Sequence, residues 1–348
     1  MRTAVLAVLV TILSGGVYVL YQKTTTVSVE ENKAEVTRVA LPTVTDRTLM
    51  VTNGIMHSVP LSEVISGGPR KDGIPSIDSP EFVSHQEASL DPETVGIGLF
   101  YEGEARFYPF DILVWHEIVN DVVSGVPVAV TYCPLCMTGV VFDRRLDGGV
   151  VEFGVSGRLW QSNLLMYDRY GKKGDDVEPL GLQKGESLWS QVLGEAVVGP
   201  RTGDQLRVLP ASGAVRFIDW ITRHPDTRVL ARPRGSLRPY GTDPYGAYYT
   251  NSDVLFPTQE SGRMHPKVYV HGVVIDGVSK AYPHDVLPVG TITDVLGDNT
   301  IQVHKSDTGA VTVEYGGKIL PAIGAFWFAW EAVHPETEVW DPATQDAS

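Results

Sequence analysis

The only two cysteines in this 348-residue chain stand three positions apart, in Cys133–Pro134–Leu135–Cys136. Thiols at that spacing can close a disulfide with each other or chelate one soft metal ion. Closed structural zinc needs four ligands, and no second cysteine pair exists, so zinc fits less well than copper. His116, Met137 or Met166 would have to complete a metal site, and thiolates combined with thioethers favour copper(I). A structural disulfide, and plain core packing of the two methionines, are the competing readings. His116 and Glu117 lie upstream of the thiols. An imidazole there can ligate or act as a base, with a carboxylate to orient it. A capped helix end holding a satisfied histidine is the structural alternative. The catalytic candidates are therefore Cys133, Cys136, His116 and Glu117.

A second polar stretch follows. Ser156, Ser162, Asn163 and Asp168, joined by Trp189 and Gln191, have the types that line a substrate pocket. Phe153–Gly157 resembles a hydrolase nucleophile elbow only superficially, because its serine is out of register with the G-x-S-x-G order. Its glycines suit close backbone approach instead.

The elements that must position these residues read as mostly β. Val126–Tyr132, Val140–Asp143, Val150–Val155 and Gln205–Leu209 are β-branched runs bounded by turn residues. In thioredoxin-like proteins a Cys-x-x-Cys motif opens a helix. Here a β-branched run follows, which argues against activation by a helix dipole. Helices are expected over Tyr108–Asn120, Ala214–Arg223 and Ala325–Val333. Tyr170–Gly185 reads as a surface excursion.

The chain also repeats itself. Val95–Leu113 and Tyr269–Leu287 align without a gap, sharing Gly98/Gly272, Gly103/Gly277, Tyr108/Tyr282, Pro109/Pro283, Asp111/Asp285 and Leu113/Leu287. Each reads as a hairpin with an acidic–glycine turn. Trp220, His224 and Thr227 match Trp330, His334 and Thr337 in a second pair of segments. Setting Asp121 on Asp294 puts Cys133 over Ser306, so only the first copy carries thiols. Recurrence assigns Asp121, His224 and His334 to the shared frame. The expected fold class is α+β, β-rich, with two related lobes from an internal duplication. The first lobe spans 45–232, a connector 233–268, and a shorter structural lobe 269–342.

Composition limits the partners. Hydrophobic residues make up 43% and charged residues 20%, enough for a sizeable core, and the formal charge of −14 disfavours nucleic acid. Ala4–Tyr21 carries no charge, follows Arg2, and as a helix would reach about 27 Å, near the thickness of a bilayer core. A signal anchor or cleaved signal peptide over 1–22 and a polar tether over 23–44 are expected. The chain would then be a single-pass cell-membrane protein, or a secreted one, with its body outside the cytoplasm.

His116–Asp121, Thr131–Cys136, Phe153–Gly157 and Met166–Asp168 together resemble the bacterial family called domain of unknown function 3179. Gly67–Pro75, Ser187–Gln191 and Asp243–Tyr245 extend the likeness across about 45–342. Met137 stands where that family more often has a small residue, and Tyr170–Gly185 is a longer insertion than its pattern suggests. The resemblance implies no particular activity. The residues leave three readings open. One is an extracytoplasmic copper-binding or thiol-redox protein with an unknown redox or metal-delivery partner. Another is an enzyme using the 156–168 pocket with the cysteines as anchor. The third is a non-catalytic binding module.

Overall fold

Acidic–glycine pairs turn the chain back on itself twice in the same way. Glu102 and Gly103 have φ of 47° and 83°, and Asp276 and Gly277 have 50° and 81°. Two successive positive φ values form the hairpin turn whose twist matches that of its flanking strands. Val95–Tyr101 thus pairs with Glu104–Pro109, and Tyr269–Ile275 with Val278–Pro283. The computed structural model describes residues 7–13, 16–22, 37–40, 48–147, 149–170, 176–177 and 180–344. It is β-rich, with 44% strand and 12% helix.

The same contacts surround both hairpins. A short strand lies parallel to the second hairpin strand in each case, Arg228–Leu230 in one and Glu338–Val339 in the other. A seven-residue helix packs on each, Phe217–Arg223 and Trp327–Val333. Gly98 lies so close to the Trp220 ring, and Gly272 to the Trp330 ring, that a Cβ at either glycine would collide with it. The Trp220 indole donates to Thr227 Oγ1 at 2.9 Å and the Trp330 indole to Thr337 Oγ1 at 3.0 Å. His224 and His334 pack on these indoles at 4.2 and 4.1 Å between ring centres. Tyr108 donates to Asp121 at 2.7 Å, as Tyr282 does to Asp294 at 2.8 Å.

Three sequence expectations need correction. The helix expected over Tyr108–Asn120 is confined to Phe110–Leu113. Glu117 takes a left-handed φ of 58°, and Ile118–Val123, rich in valine, runs on as a strand against Val126–Cys133. The helices expected from Ala214 and Ala325 start at Phe217 and Trp327, because Ser212–Arg216 and Ile323–Phe326 are strands. The third correction is at the amino terminus. Residues 1–36 form one unit and 37–348 another. Within the first, Ala7–Leu13 and Gly16–Gln22 are antiparallel strands with Leu13 opposite Gly16, not a helix. Their valines, threonine and isoleucine favour extended backbone. No helix among the described residues is long and apolar enough to cross a membrane, so the expected membrane partnership through an amino-terminal helix is overturned. Much of the expected tether lies outside the described residues. Within it Thr37–Ala40 is a strand paired with Thr48–Thr52.

Two sheets frame the cysteines. One orders Ile118–Val123, Val126–Cys133, Thr138–Asp143 and Val208–Leu209. The other includes the hairpin Phe153–Trp160/Asn163–Asp168 and the strands Leu188–Ser190 and Glu195–Val198. Between them lies an apolar cluster that holds both thiols with Phe142, Phe153, Met166 and Trp189. Phe153 meets Trp189 edge-on, ring centres 5.7 Å apart.

Candidate functional site

Val126–Cys133 delivers Cys133 at its last position, and Pro134–Cys136 then makes one 3-10 turn. Met137 ends that turn at a φ of 51°, and its amide donates to Pro134 O. The strand Thr138–Asp143 returns at once, with Thr138 opposite Cys133. A turn of three residues offers no accumulated helix dipole. What it does is bring the side chains together: both cysteines are free, with their sulfurs 3.0 Å apart. A disulfide bond is about 2.05 Å long, so closure needs a shift of about 1 Å and no refolding.

The sulfurs sit in a polar lining within an apolar shell. Asn163 Nδ2 donates to Cys136 Sγ at 3.2 Å, and the Cys136 thiol donates to Ser162 O at 3.4 Å. Gln191 donates to Thr131 Oγ1 and Thr138 O, both at 3.1 Å, and its own carbonyl lies 3.5 Å from Asn163 Nδ2. These bonds fix the amide that faces the sulfur. Burial pushes the Cys136 thiol well above its ordinary range and the neighbouring Cys133 adds to that, while the Asn163 bond pulls the other way. Asn163 is thus the group that favours a thiolate here.

Glu117 lies close enough for its charge to act on Cys136. Burial raises its carboxyl to about 8, and it has no hydrogen-bond or ion-pair partner among the described residues. Its charge bears on Cys136, and the charges of Glu117, Cys133 and Cys136 all bear on the half-buried Tyr245 phenol. Its backbone holds it beside the motif, since Tyr132 N donates to Glu117 O at 2.8 Å. The connector packs over the thiols' cluster. Gly246–Tyr249 forms a 3-10 turn, and Tyr248 donates to Leu135 O, inside the motif, at 2.8 Å. Nothing local in the sequence marks this cover.

The remaining candidates are scattered. His116 does not join the thiols. Its ring binds Pro75 O at 2.7 Å through Nδ1 and Tyr240 Oη at 2.6 Å through Nε2, so both nitrogens are engaged elsewhere. Burial lowers its pKa, keeping it neutral. Met137 Sδ accepts from Tyr132 Oη, and Met166 is buried in the core cluster. No group of three or more His, Cys, Asp or Glu side chains able to hold a metal occurs among the described residues. The expected ligand set Cys133, Cys136, His116, Met137 and Met166 is therefore not assembled. The expected pocket is divided as well. Ser162, Asn163 and Gln191 surround the thiols. Asp168 instead accepts from the Ser187 amide at 3.0 Å and the Trp189 indole at 2.8 Å, a framework tie. Ser156 donates to Leu165 O and lines a separate cleft.

The family model described as "Protein of unknown function (DUF3179)" matches residues 71–319. No curated protein and no solved structure matches the chain.

Proposed function

Since the chain belongs to the DUF3179 family of proteins of unknown function, its chemistry has to be argued from its own residues, and we propose that Cys133 and Cys136 form a dithiol–disulfide couple. The observation that carries this reading is the 3.0 Å approach of two free sulfurs. The co-reactant is a disulfide-bearing partner, small or macromolecular. The Cys133 thiolate attacks one sulfur of the partner's disulfide, giving a mixed disulfide and a partner thiolate. Cys136 then attacks Cys133 Sγ, closing the intramolecular bond and releasing the second partner thiolate. Two protons leave the cysteines and two arrive on the partner, and two electrons pass with them. Cys136, held protonated by burial, stays out of the first attack and gives up its proton to attack Cys133 Sγ as a thiolate in the second. Glu117 suits the role of proton carrier, because its raised pKa lies near neutrality and it retains 7% exposure where the thiols keep 1% and 0%.

The test is equilibration in glutathione redox buffers, followed by alkylation of free thiols and intact-mass measurement. A reversible two-electron transition is expected, the reduced form carrying two alkyl groups and the oxidised form none, and it should be abolished by Cys133→Ser and by Cys136→Ser. Oxidation that occurs only once the protein is unfolded would defeat the proposal. Soft-metal binding is the weaker reading, because His116 is engaged by Pro75 and Tyr240.

The recurring hairpin, tryptophan and tyrosine–aspartate contacts support descent of the two halves from one duplicated unit. Under that reading the second copy keeps the frame without the chemistry. Ser306, which aligns with Cys133, closes a tight turn by accepting from the Ala310 amide at 3.0 Å.

A further inference from the structure

A cleft of about 740 Å³ is lined by residues of the Phe153–Trp160/Asn163–Asp168 hairpin and of the Gly67–Pro75 segment. Tyr167 lines it, while Met166 packs in the cluster that holds both thiols. Adjacent strand side chains point to opposite faces, so at Met166–Tyr167 the cleft and the apolar cluster lie on opposite sides of the strand. The loop carrying Pro69–Asp72 is bound to the hairpin by its backbone, Gly67 N to Gly157 O and Asp72 N to Val155 O, both 2.9 Å. Gly157, at a φ of 71°, leaves no room for a Cβ beside Pro69 O, and this allows the close approach.

The charge in the cleft runs against that of the whole chain. Arg70, Lys71, Arg158 and Arg169 line it against only Asp72 and Glu186, in a protein of formal charge −14. The acids are already committed. Glu186 pairs with Lys71, and Asp72 accepts from Tyr167 Oη at 2.7 Å. Arg169 is fixed by Asp78. The Arg70 guanidinium, by contrast, is exposed and has no hydrogen-bond or ion-pair partner among the described residues. A rigid floor with an uncommitted guanidinium at its edge is suited to an oxyanion, which an arginine can hold through two parallel hydrogen bonds. The volume lies inside the range of about 300–1,000 Å³ that small-molecule sites occupy.

We propose that this cleft is a binding site for a small organic anion, held through a carboxylate or phosphate group by Arg70 with Lys71 beside it. The site stands apart from the thiol couple and does not depend on it. Calorimetric titration with inorganic phosphate and with citrate, at ionic strength matched with chloride, tests it. Saturable binding of at least one probe is expected. Arg70→Glu should weaken that binding at least tenfold with an unchanged melting temperature, because the Arg70 guanidinium has no hydrogen bond or ion pair to lose among the described residues. Arg234→Glu, outside the cleft lining, should bind as the parent does, and so should Cys133→Ser. Citrate alone binding identifies a carboxylate site, and phosphate binding a phosphate site. Absence of saturable binding by both probes, or parental affinity in Arg70→Glu, overturns the proposal.

Discussion

Replacing Glu117 by Gln separates the cost of a buried carboxylate from everything else near the thiols. The side chain makes no hydrogen bond that the amide would break, and the two side chains have nearly the same shape. Burial raises the carboxyl from 4.5 to about 8. Below pH 4.5 it is protonated whether the chain is folded or not, and it adds no pH dependence. Between 4.5 and 8 the unfolded chain gives up this proton and the folded chain keeps it. The unfolded state then binds fewer protons, so stability falls by about 1.4 kcal/mol per pH unit. The loss reaches about 3 kcal/mol at pH 7 and levels off near about 5 kcal/mol above pH 8, an upper figure because water entering the pocket would relieve it. Glu117→Gln lacks this dependence. Urea unfolding of the reduced protein from pH 4 to 9 should show variant and parent equal at the acid end. The variant should be the more stable by about 3 kcal/mol at pH 7. Parallel curves across that range would refute the account of Glu117 as a buried, unpartnered carboxylate. In the same samples, oxidation by a small disulfide should be slower in the variant if Glu117 carries the thiol proton.

Asn163→Ala removes the donor to Cys136 Sγ, so the thiol should ionise at still higher pH. Its alkylation rate at fixed pH should fall severalfold, and an unchanged rate–pH profile would remove Asn163 from the site. His116→Ala breaks the links to Pro75 and Tyr240 and should cost about 1–3 kcal/mol in unfolding experiments. The thiol redox midpoint should not move, and a shifted midpoint would return His116 to the chemistry. Gly98→Ala and Gly272→Ala each push a methyl into a buried tryptophan. Each should destabilise by about 1–3 kcal/mol, and similar losses at the two sites would support the duplicated frame.

What could be read from the sequence was local or recurrent. The acidic–glycine turns at Glu102 and Asp276 were legible because a two-residue hairpin demands positive φ and few residue pairs supply it. Asp121 could be assigned to the frame because Asp294 repeats it, and its bond from Tyr108 agrees. The thiol pair was legible because a spacing of three residues keeps two side chains in reach in almost any turn. The long helix around His116 failed because the helix stops at Leu113 and the turn after it leads through a left-handed Glu117 into the strand Ile118–Val123. The Asn163 donor, the tyrosine cover and the anion cleft depend on contacts between distant segments, such as Leu135 with Tyr248, 113 residues apart. No local periodicity encodes these.

Exposure, more than spacing, decides what the thiols can meet. At 1% and 0% exposure neither sulfur can be approached in line by a disulfide while the cover is in place. Tyr248 is pinned twice. Its hydroxyl binds Leu135 O, and the Lys267 ammonium sits 3.3 Å from its ring centre while donating to Tyr248 O at 2.6 Å. The hydroxyl bond ties the cover to the Cys-x-x-Cys turn itself, so a change in the turn's shape on closing the disulfide would be felt directly by Tyr248. Exchange with a partner therefore requires the Gly246–Tyr249 turn to yield, and loosening that turn should speed oxidation without altering the redox midpoint. Tyr248→Phe, which removes the bond to Leu135 and keeps the ring under Lys267, isolates this effect. Faster oxidation at an unchanged midpoint is the expected result in a stopped-flow thiol assay. A rate equal to the parent's would mean that the cover opens by some other contact, or that the sulfurs do not exchange in the folded protein.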